Sequence, residues 1–343
     1  MLSAIIDIGS GSIGLALVLS KKGGVPTLRH SIRQELRVQK VLSHERLMQQ
    51  SLKTLAVTIT EMQKKGLGVP SKIFCFLSSH LIASQTRVVS LKFDEPTVIN
   101  ETVVNNIVNR ESENLKNEHK RLRDDFDVII EQKVMGVKLN GYEVSNFKNK
   151  ITNEVETSIF FTLASESTLN RVRRLIAGAF HNRQIEFHSF SFAYFSFLRD
   201  LLKLERDFIF IDISGEITDI SLVHDGILKK TASFPLGRNE VVSRNIGPAG
   251  KRWSHEAKLI FSKWSLPEKL PGKIFILVDP SVYGLFKNFI DSLDLSNLTL
   301  LSEKLIVKDL TSADFNKFCN NESDSMNDPA LAVSTIFVNK LLN

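Results

Sequence analysis

The stretch IIDIGSGSIGLALVL, residues 5–19, decides how this chain is read. Its Gly9, Gly11 and Gly14 have the spacing G-x-G-x-x-G, which marks a dinucleotide-binding turn only between a strand and a helix that opens from the last glycine. No helix pattern opens here. The continuation LALVLSKKGGVPTLRHS, residues 15–31, is an apolar run, a Lys-Lys-Gly-Gly turn and a second extended run. The stretch therefore predicts a β-hairpin with Gly and Ser at its tip. Such a tip still suits phosphate, because small residues let successive backbone N–H groups converge on one anion.

A second copy lies at 208–237, FIFIDISGEITDISLVHDGILKKTASFPLG. An apolar strand again ends in Asp (Asp212), followed by a Ser/Gly/Thr turn, a second strand, a His224-Asp225-Gly226 turn and a third strand. Ile6-Asp7-Ile8-Gly9-Ser10-Gly11 thus matches Ile211-Asp212-Ile213-Ser214-Gly215. Two equivalent β-β-β units predict a duplicated architecture. If the halves face one another, both tips and both carboxylates meet at one cleft. Polyphosphate then fits between the tips, and Asp7 and Asp212 suit a hydrated Mg²⁺, which takes carboxylates and keeps several waters.

Composition narrows the remaining classes. The 343 residues carry a formal charge of +6 with both signs interspersed, a surplus that permits an acidic partner without requiring one. The densest charged run, RESENLKNEHKRLRDD at 110–125, mixes signs and reads as a solvated helix and loop rather than a nucleic-acid surface. Cys75 and Cys319 are the two cysteines; far apart and without partners at metal-ligand spacing, they fit a reducing cytoplasm. No signal peptide is legible and no apolar run is long enough to span a membrane. The eight histidines are scattered, and Ser221, His224 and Asp225 sit at a turn rather than in a catalytic triad.

Taken together, these residues resemble the actin-like ATPase superfamily, in the branch of FtsA (cell division) and PilM (type IV pilus assembly). DIGSGSIGLALV is similar to the first phosphate motif, and DISGEITDISLVHDGIL followed by FPLGRNEVVSRNI to the second. KIFCFLSSHLIASQTRVVSL and VKLNGYEVSNFKNK resemble parts of the SHS2-type insert subdomain of that branch, and DPALAVSTIFVNKLL the helix that returns to the first domain. The resemblance implies an α/β fold of duplicated actin-like (ribonuclease H-like) domains with a small α+β insert and a reduced or missing fourth subdomain. The expected divisions are 1–80 and 166–200 for the first domain, 81–165 for the insert, 201–325 for the second domain and 326–343 for the returning helix. In an active member, Asp7 and Asp212 would be the catalytic carboxylates, with Asp7 holding Mg²⁺ through water. Gly9, Ser10, Gly11, Ser12, Ser214, Gly215, Thr218 and Gly237 would cradle the phosphates of ATP.

Three departures weigh against that activity. The tip, Ser10 to Leu15, lacks the phosphate-binding Lys of many relatives. The strand expected to precede the adenosine loop, KIFILVDPSVYGLF, has Asp279 and Pro280 where relatives have paired glycines; a non-glycine residue in left-handed geometry costs about 1–2 kcal/mol, and proline has no N–H to offer. Residues 238–272 leave room for one or two helices, with NIGPAGKRW as the break between them, and not for the subdomain that walls the adenine and that FtsA offers to FtsZ. The final helix, LAVSTIFVNKLLN, is apolar almost all round with Lys340 as its cation, so it reads as buried rather than as a membrane anchor. The expectation is a cytoplasmic scaffold with a decayed ATP–Mg²⁺ site, peripheral to the inner membrane through protein partners. Those partners would be pilus-platform or division-ring components, including a short peptide of a membrane protein. Self-association is compatible with this reading, and the alternative is a working Mg-ATP-binding protein or slow, filament-forming ATPase. A sugar or acetate kinase lacks any recognisable substrate signature here.

Overall fold

The computed structural model describes residues 1–38, 43–122, 125–182, 184–243, 246–266, 268–299, 305–322 and 328–343. The chain begins with β1 (Leu2–Ile8), β2 (Ser12–Leu19) and β3 (Thr27–Glu35) in an antiparallel meander. The Gly9 N–H donates to the Ser12 carbonyl at 3.1 Å and closes the first turn, so the glycine motif is a hairpin tip. Helix α1 (His44–Gln63) turns one face inward through Leu47, Met48, Leu55, Ile59 and Met62, the spacing of an amphipathic helix on a sheet. It leads to β4 (Lys72–Leu77), which pairs parallel with β1.

The chain then leaves this sheet. β5 (Ile82–Ile99), α2 (Glu101–Leu122), β6 (Val128–Leu139), β7 (Tyr142–Glu143) and β8 (Lys150–Ala164) build a separate sheet in the order β5-β8-β6-β7. Its last long strand, β8, inserts between β5 and β6 and runs antiparallel to both. Val104, Ile107, Val108 and Leu115 of α2 pack on this sheet, and the charged side of the helix faces outward. Residues 123–124 of the charged run lie outside the described residues. The chain returns through α3 (Glu166–Phe180), β9 (Ile185–Ser189), parallel to β4, and α4 (Phe190–Leu202).

The second lobe repeats the first. β10 (Phe208–Ile213), β11 (Thr218–His224) and β12 (Ile227–Phe234) form a meander, followed by α5 (Arg238–Ser243), α6 (Ile246–Trp264), β13 (Lys273–Leu277), α7 (Tyr283–Asp291) and β14 (Ile306–Asp309). Its sheet order, β12-β11-β10-β13-β14, has the same form as β3-β2-β1-β4-β9: a three-strand meander extended by two parallel strands. The closing segment is α8 (Ser312–Asn316), β15 (Asn320–Asn321), which lengthens the first sheet beside β3, and α9 (Pro329–Leu342).

Strand alternation aims the two acidic residues. On β1, Ala4, Ile6 and Ile8 pack with α1 and α3, and Ile5 faces a central core. On β10, Ile209, Ile211 and Ile213 pack with Trp253 and Phe261 of α6, and Phe208 and Phe210 face the same central core. Asp7 and Asp212 continue those inward faces at the ends of equivalent strands. The seam between the lobes is filled by α4 and α9, through Tyr194, Phe195, Phe197, Leu331, Val333 and Phe337 among others. This explains why both helices are apolar almost all round. Lys340 is used at 2.7 Å on Asp200, and no helix among the described residues is long and apolar enough to cross a membrane.

Two expectations require correction. NIGPAGKRW is not a break: from Ile246 onward it forms the first turns of α6. Pro248 sits in the first turn, where a missing N–H costs little, and a Cβ at Gly250 would come within 2.4 Å of the Phe289 ring. Residues 244–245 lie outside the described residues. The segment after β13 does not strain Asp279 into left-handed geometry; its φ is −55° and ψ 127°, and its carboxylate caps the Ser281 N–H at 2.9 Å. Proline then starts a helical turn, the position it tolerates best.

Candidate functional site

Asp7 and Asp212 meet at one hollow. A cavity of about 270 Å³ between the lobes is lined by both carboxylates and by Gly9, Ser12, Ser214 and Gly215 from the two tips. Four other expected contacts do not face it as free groups. Ser10 is fully buried, and its hydroxyl accepts the Glu216 and Ile217 N–H groups of the opposite tip, each at 3.2 Å. Gly11 packs directly on Gly215: a Cβ on either would lie 2.4 or 2.2 Å from the other's Cα. The Thr218 hydroxyl donates to the Leu236 carbonyl at 2.7 Å and accepts the Trp253 indole N–H at 2.9 Å, so it is spent inside the second lobe. Gly237 supports the second tip from behind, where a Cβ would come within 2.4 Å of the Gly215 carbonyl oxygen.

The two tips therefore touch. N–H groups of the kind that cradle a phosphate are taken by a serine hydroxyl of the same chain, and the two backbones approach at a separation only glycine allows.

The cation missing from the first tip arrives from elsewhere. Gly14 lies opposite both Asp7 and Arg33 in the β1-β2-β3 register. Its missing side chain leaves a channel through which the Arg33 guanidinium crosses, 2.5 Å from where a Gly14 Cβ would stand. Arg33 donates to Asp7 Oδ2 at 2.8 Å, to Ser12 Oγ at 2.8 Å and to both oxygens of Asp328 at 2.5 and 3.0 Å. Asp328 in turn caps α9 through the Leu331 N–H at 3.0 Å. Burial pushes the Asp7 carboxyl above its ordinary value, against the pull of Arg33. Burial opposes the charge on Arg33 too, but Asp328 and Asp7 more than compensate and raise its pKa further. A second arginine bridges the lobes: Arg238 reaches Asp279 at 2.7 Å and both oxygens of Glu35 at 2.8 Å.

Sequence reasoning missed Arg33, Asp328, Arg238 and Glu35. Arg33 alternates with the half-buried Ile32 and reads as a solvent-facing strand residue; only its position opposite Gly14 signals otherwise. Asp328 had a readable signature, Asp-Pro at a helix start, though not its partner. The cleft now holds five carboxylates, Asp7, Glu35, Asp212, Asp279 and Asp328, against two guanidiniums among its described lining residues.

Asp212 has another neighbour. Asp219 stands directly opposite it on β11, an unfavourable placement for like charges. Burial, then Asp219, then Asp7 push the Asp212 carboxyl well above the ordinary range, with Arg33 pulling the other way. Burial raises Asp219 to about 6, partly offset by Ser79. An acid whose folded-state pKa is raised holds its proton longer in the folded chain, so its ionisation opposes folding as pH climbs from about 4 to 6. Asp219→Asn is therefore expected to leave stability unchanged near pH 4 and to raise it by about 2 kcal/mol above pH 7. Urea unfolding at pH 4.5 and 7.5 measures this; an equal change at both would contradict it.

No family model and no curated protein matches this sequence. Among solved structures, the chain is similar to one from a PilM-PilN type IV pilus biogenesis complex, with a TM-score of 0.61 at 12% identity over 98% of this chain and 97% of that one. A Bacteroides thetaiotaomicron protein of actin-like ATPase fold and unknown function aligns at 11% identity over 98% and 95%, with a TM-score of 0.48. The ethanolamine utilization protein EutJ of Carboxydothermus hydrogenoformans gives 0.42 at 11% identity over 99% and 89%. With its repeated sheet order, the chain has the actin-like ATPase fold.

Proposed function

We propose that this chain is a non-catalytic scaffold of actin-like fold, which holds a segment of a protein partner and no longer binds ATP. The observation that carries the proposal is the contact between the tips. In a nucleotide-binding cleft, those backbone N–H groups face phosphate oxygens; here Ser10 takes two of them and Gly11 lies against Gly215. The remaining hollow, about 270 Å³, falls below the roughly 300–1,000 Å³ of most small-molecule sites. Its surplus of carboxylates repels a polyphosphate. A hydrated Mg²⁺ fits the donor set poorly as well, since Arg33 already occupies Asp7.

The pilus complex that shares the fold pairs PilM with PilN, which supports a protein partner for this chain. The insert sheet, whose β5 and β6 stand beside β12 of the second lobe, is the element we assign to that contact. A role in type IV pilus assembly fits this reading more simply than a division-ring role, because 238–272 hold two helices in place of a subdomain. Titration calorimetry with ATP and MgCl₂ tests it. The expected result is no heat of binding at 1 mM nucleotide, equivalent to less than about 4 kcal/mol of binding free energy. Micromolar binding abolished by Asp212→Ala would favour the working ATPase instead.

A further inference from the structure

We propose that a second cavity, on the insert side of Asp212, binds a small organic cation, an alkylammonium or alkylguanidinium, on the paired carboxylates of Asp212 and Asp219. The proposal goes beyond the scaffold reading and does not rest on it. The cavity, about 350 Å³, lies between the opening residues of the insert, α4 and the β10–β12 meander, within the size range of small-molecule sites.

Three features converge there. Asp212 and Asp219 are directly opposed on neighbouring antiparallel strands and point to one face. Asp212 has no hydrogen-bond or ion-pair partner among the described residues, since Arg33 is spent on Asp7, Ser12 and Asp328. The Tyr194 hydroxyl is wholly buried on the same cavity wall, within the field of Asp212, and no hydrogen-bond partner for it is found among the described residues. A buried hydroxyl without a partner and two facing carboxylates are each unfavourable in an empty protein. One group with several N–H donors and a positive charge satisfies all three.

The walls select the kind of cation. Ile82, Phe126, Phe190 and Phe210 line the space above the carboxylates. They suit an alkyl stem, and the aromatic faces suit an organic cation. The same wall also carries hydroxyl residues, Ser79, Ser191 and Ser221 among them, which would meet the waters of a hydrated divalent ion; the apolar side chains favour the organic cation, and the MgCl₂ control separates the two. An anionic or neutral ligand would leave the carboxylate pair uncompensated.

Titration of the full chain at pH 7.5 with agmatine, which carries a guanidinium and an ammonium on one alkyl chain, tests the assignment. Butan-1-ol and MgCl₂ serve as the neutral and inorganic controls. The expected result is millimolar or tighter agmatine binding, weakened at least about tenfold by Asp219→Asn and about threefold by Tyr194→Phe, with no binding of butan-1-ol and no competition from MgCl₂. Asp219→Asn is expected to fold with increased stability, so a loss of binding in it is not a loss of structure. Absence of agmatine binding at 10 mM to the wild-type chain, equal affinity in Asp219→Asn, or displacement by millimolar MgCl₂ would each overturn the proposal. A failure to bind ATP bears on the scaffold reading alone and leaves this result unaffected.

Discussion

Gly215→Val is expected to force the two lobes apart. A Cβ at this position would stand 2.2 Å from Gly11 Cα and 2.9 Å from Gly11 N, and backbone cannot turn aside as a flexible side chain can. The φ of Gly215 is not among the positive ones, so the penalty comes from contact between lobes and not from local strain. Overpacking of this kind costs about 3 kcal/mol or more, and it should separate the Ser10 hydroxyl from the Glu216 and Ile217 N–H groups as well. Thermal unfolding and small-angle scattering measure the two consequences, a lowered midpoint and an increased radius of gyration. Gly178→Ala is the control. Gly178 lies exposed in α3 with nothing within 4 Å of where a Cβ would stand, so alanine there should stabilise by about 1 kcal/mol. Equal behaviour of the two variants would contradict the tip contact.

Arg33→Met should be comparably damaging for a different reason. It leaves the carboxylates of Asp7 and Asp328, 5% and 12% exposed, without their cation. Removing one partner of a buried pair costs about 3–5 kcal/mol; because Arg33 itself is 26% exposed, about 3 kcal/mol is the expected loss. The effect reaches beyond the cleft, since Asp328 caps α9 and α9 fills the seam between the lobes. Adding Asp7→Asn to Arg33→Met should recover part of the loss, because a neutral amide does not need the missing charge. Urea unfolding of the two variants decides this. A double variant no more stable than Arg33→Met would show that Arg33 acts through packing and not through Asp7.

The fold was legible because its signals are local and repeated. Two strands ending in Asp, each followed by a small-residue turn and two further strands, specify the equivalent meanders β1–β3 and β10–β12, and alternation along β1 and β10 aims both carboxylates to one side. The apolar composition of 331–343 likewise announced a buried helix. What the sequence could not disclose is how the copies touch. Glycine at positions 11 and 215 reads equally as a cradle for phosphate and as a place where two backbones meet, and only the second tip's distance from the first distinguishes these. Ser10 looked like a phosphate ligand because its partners lie 206 and 207 residues away. The Arg33–Asp328 pair spans 295 residues, beyond the reach of any spacing rule. Pro248 and Gly250 misled in the opposite direction: both usually break helices, yet one sits in a first turn and the other makes room for Phe289.

The cleft thus holds Asp7 and Asp212 together while the loops around it bond to each other. Charge and geometry agree on this point. Arg33 neutralises Asp7 from within, Arg238 ties Glu35 of one lobe to Asp279 of the other, and the anion nest is satisfied by a hydroxyl. On the scaffold reading proposed above, each of these takes up a group that a nucleotide would otherwise meet.

Hydrogen exchange at the backbone amides of Glu216 and Ile217, with and without Mg-ATP, tests that claim most directly. Both amides are expected to be protected in the protein alone, Ser10→Ala to remove the protection, and 1 mM Mg-ATP to leave the wild-type rates unchanged. Fast exchange in the protein alone, slowed only when Mg-ATP is added, would contradict it.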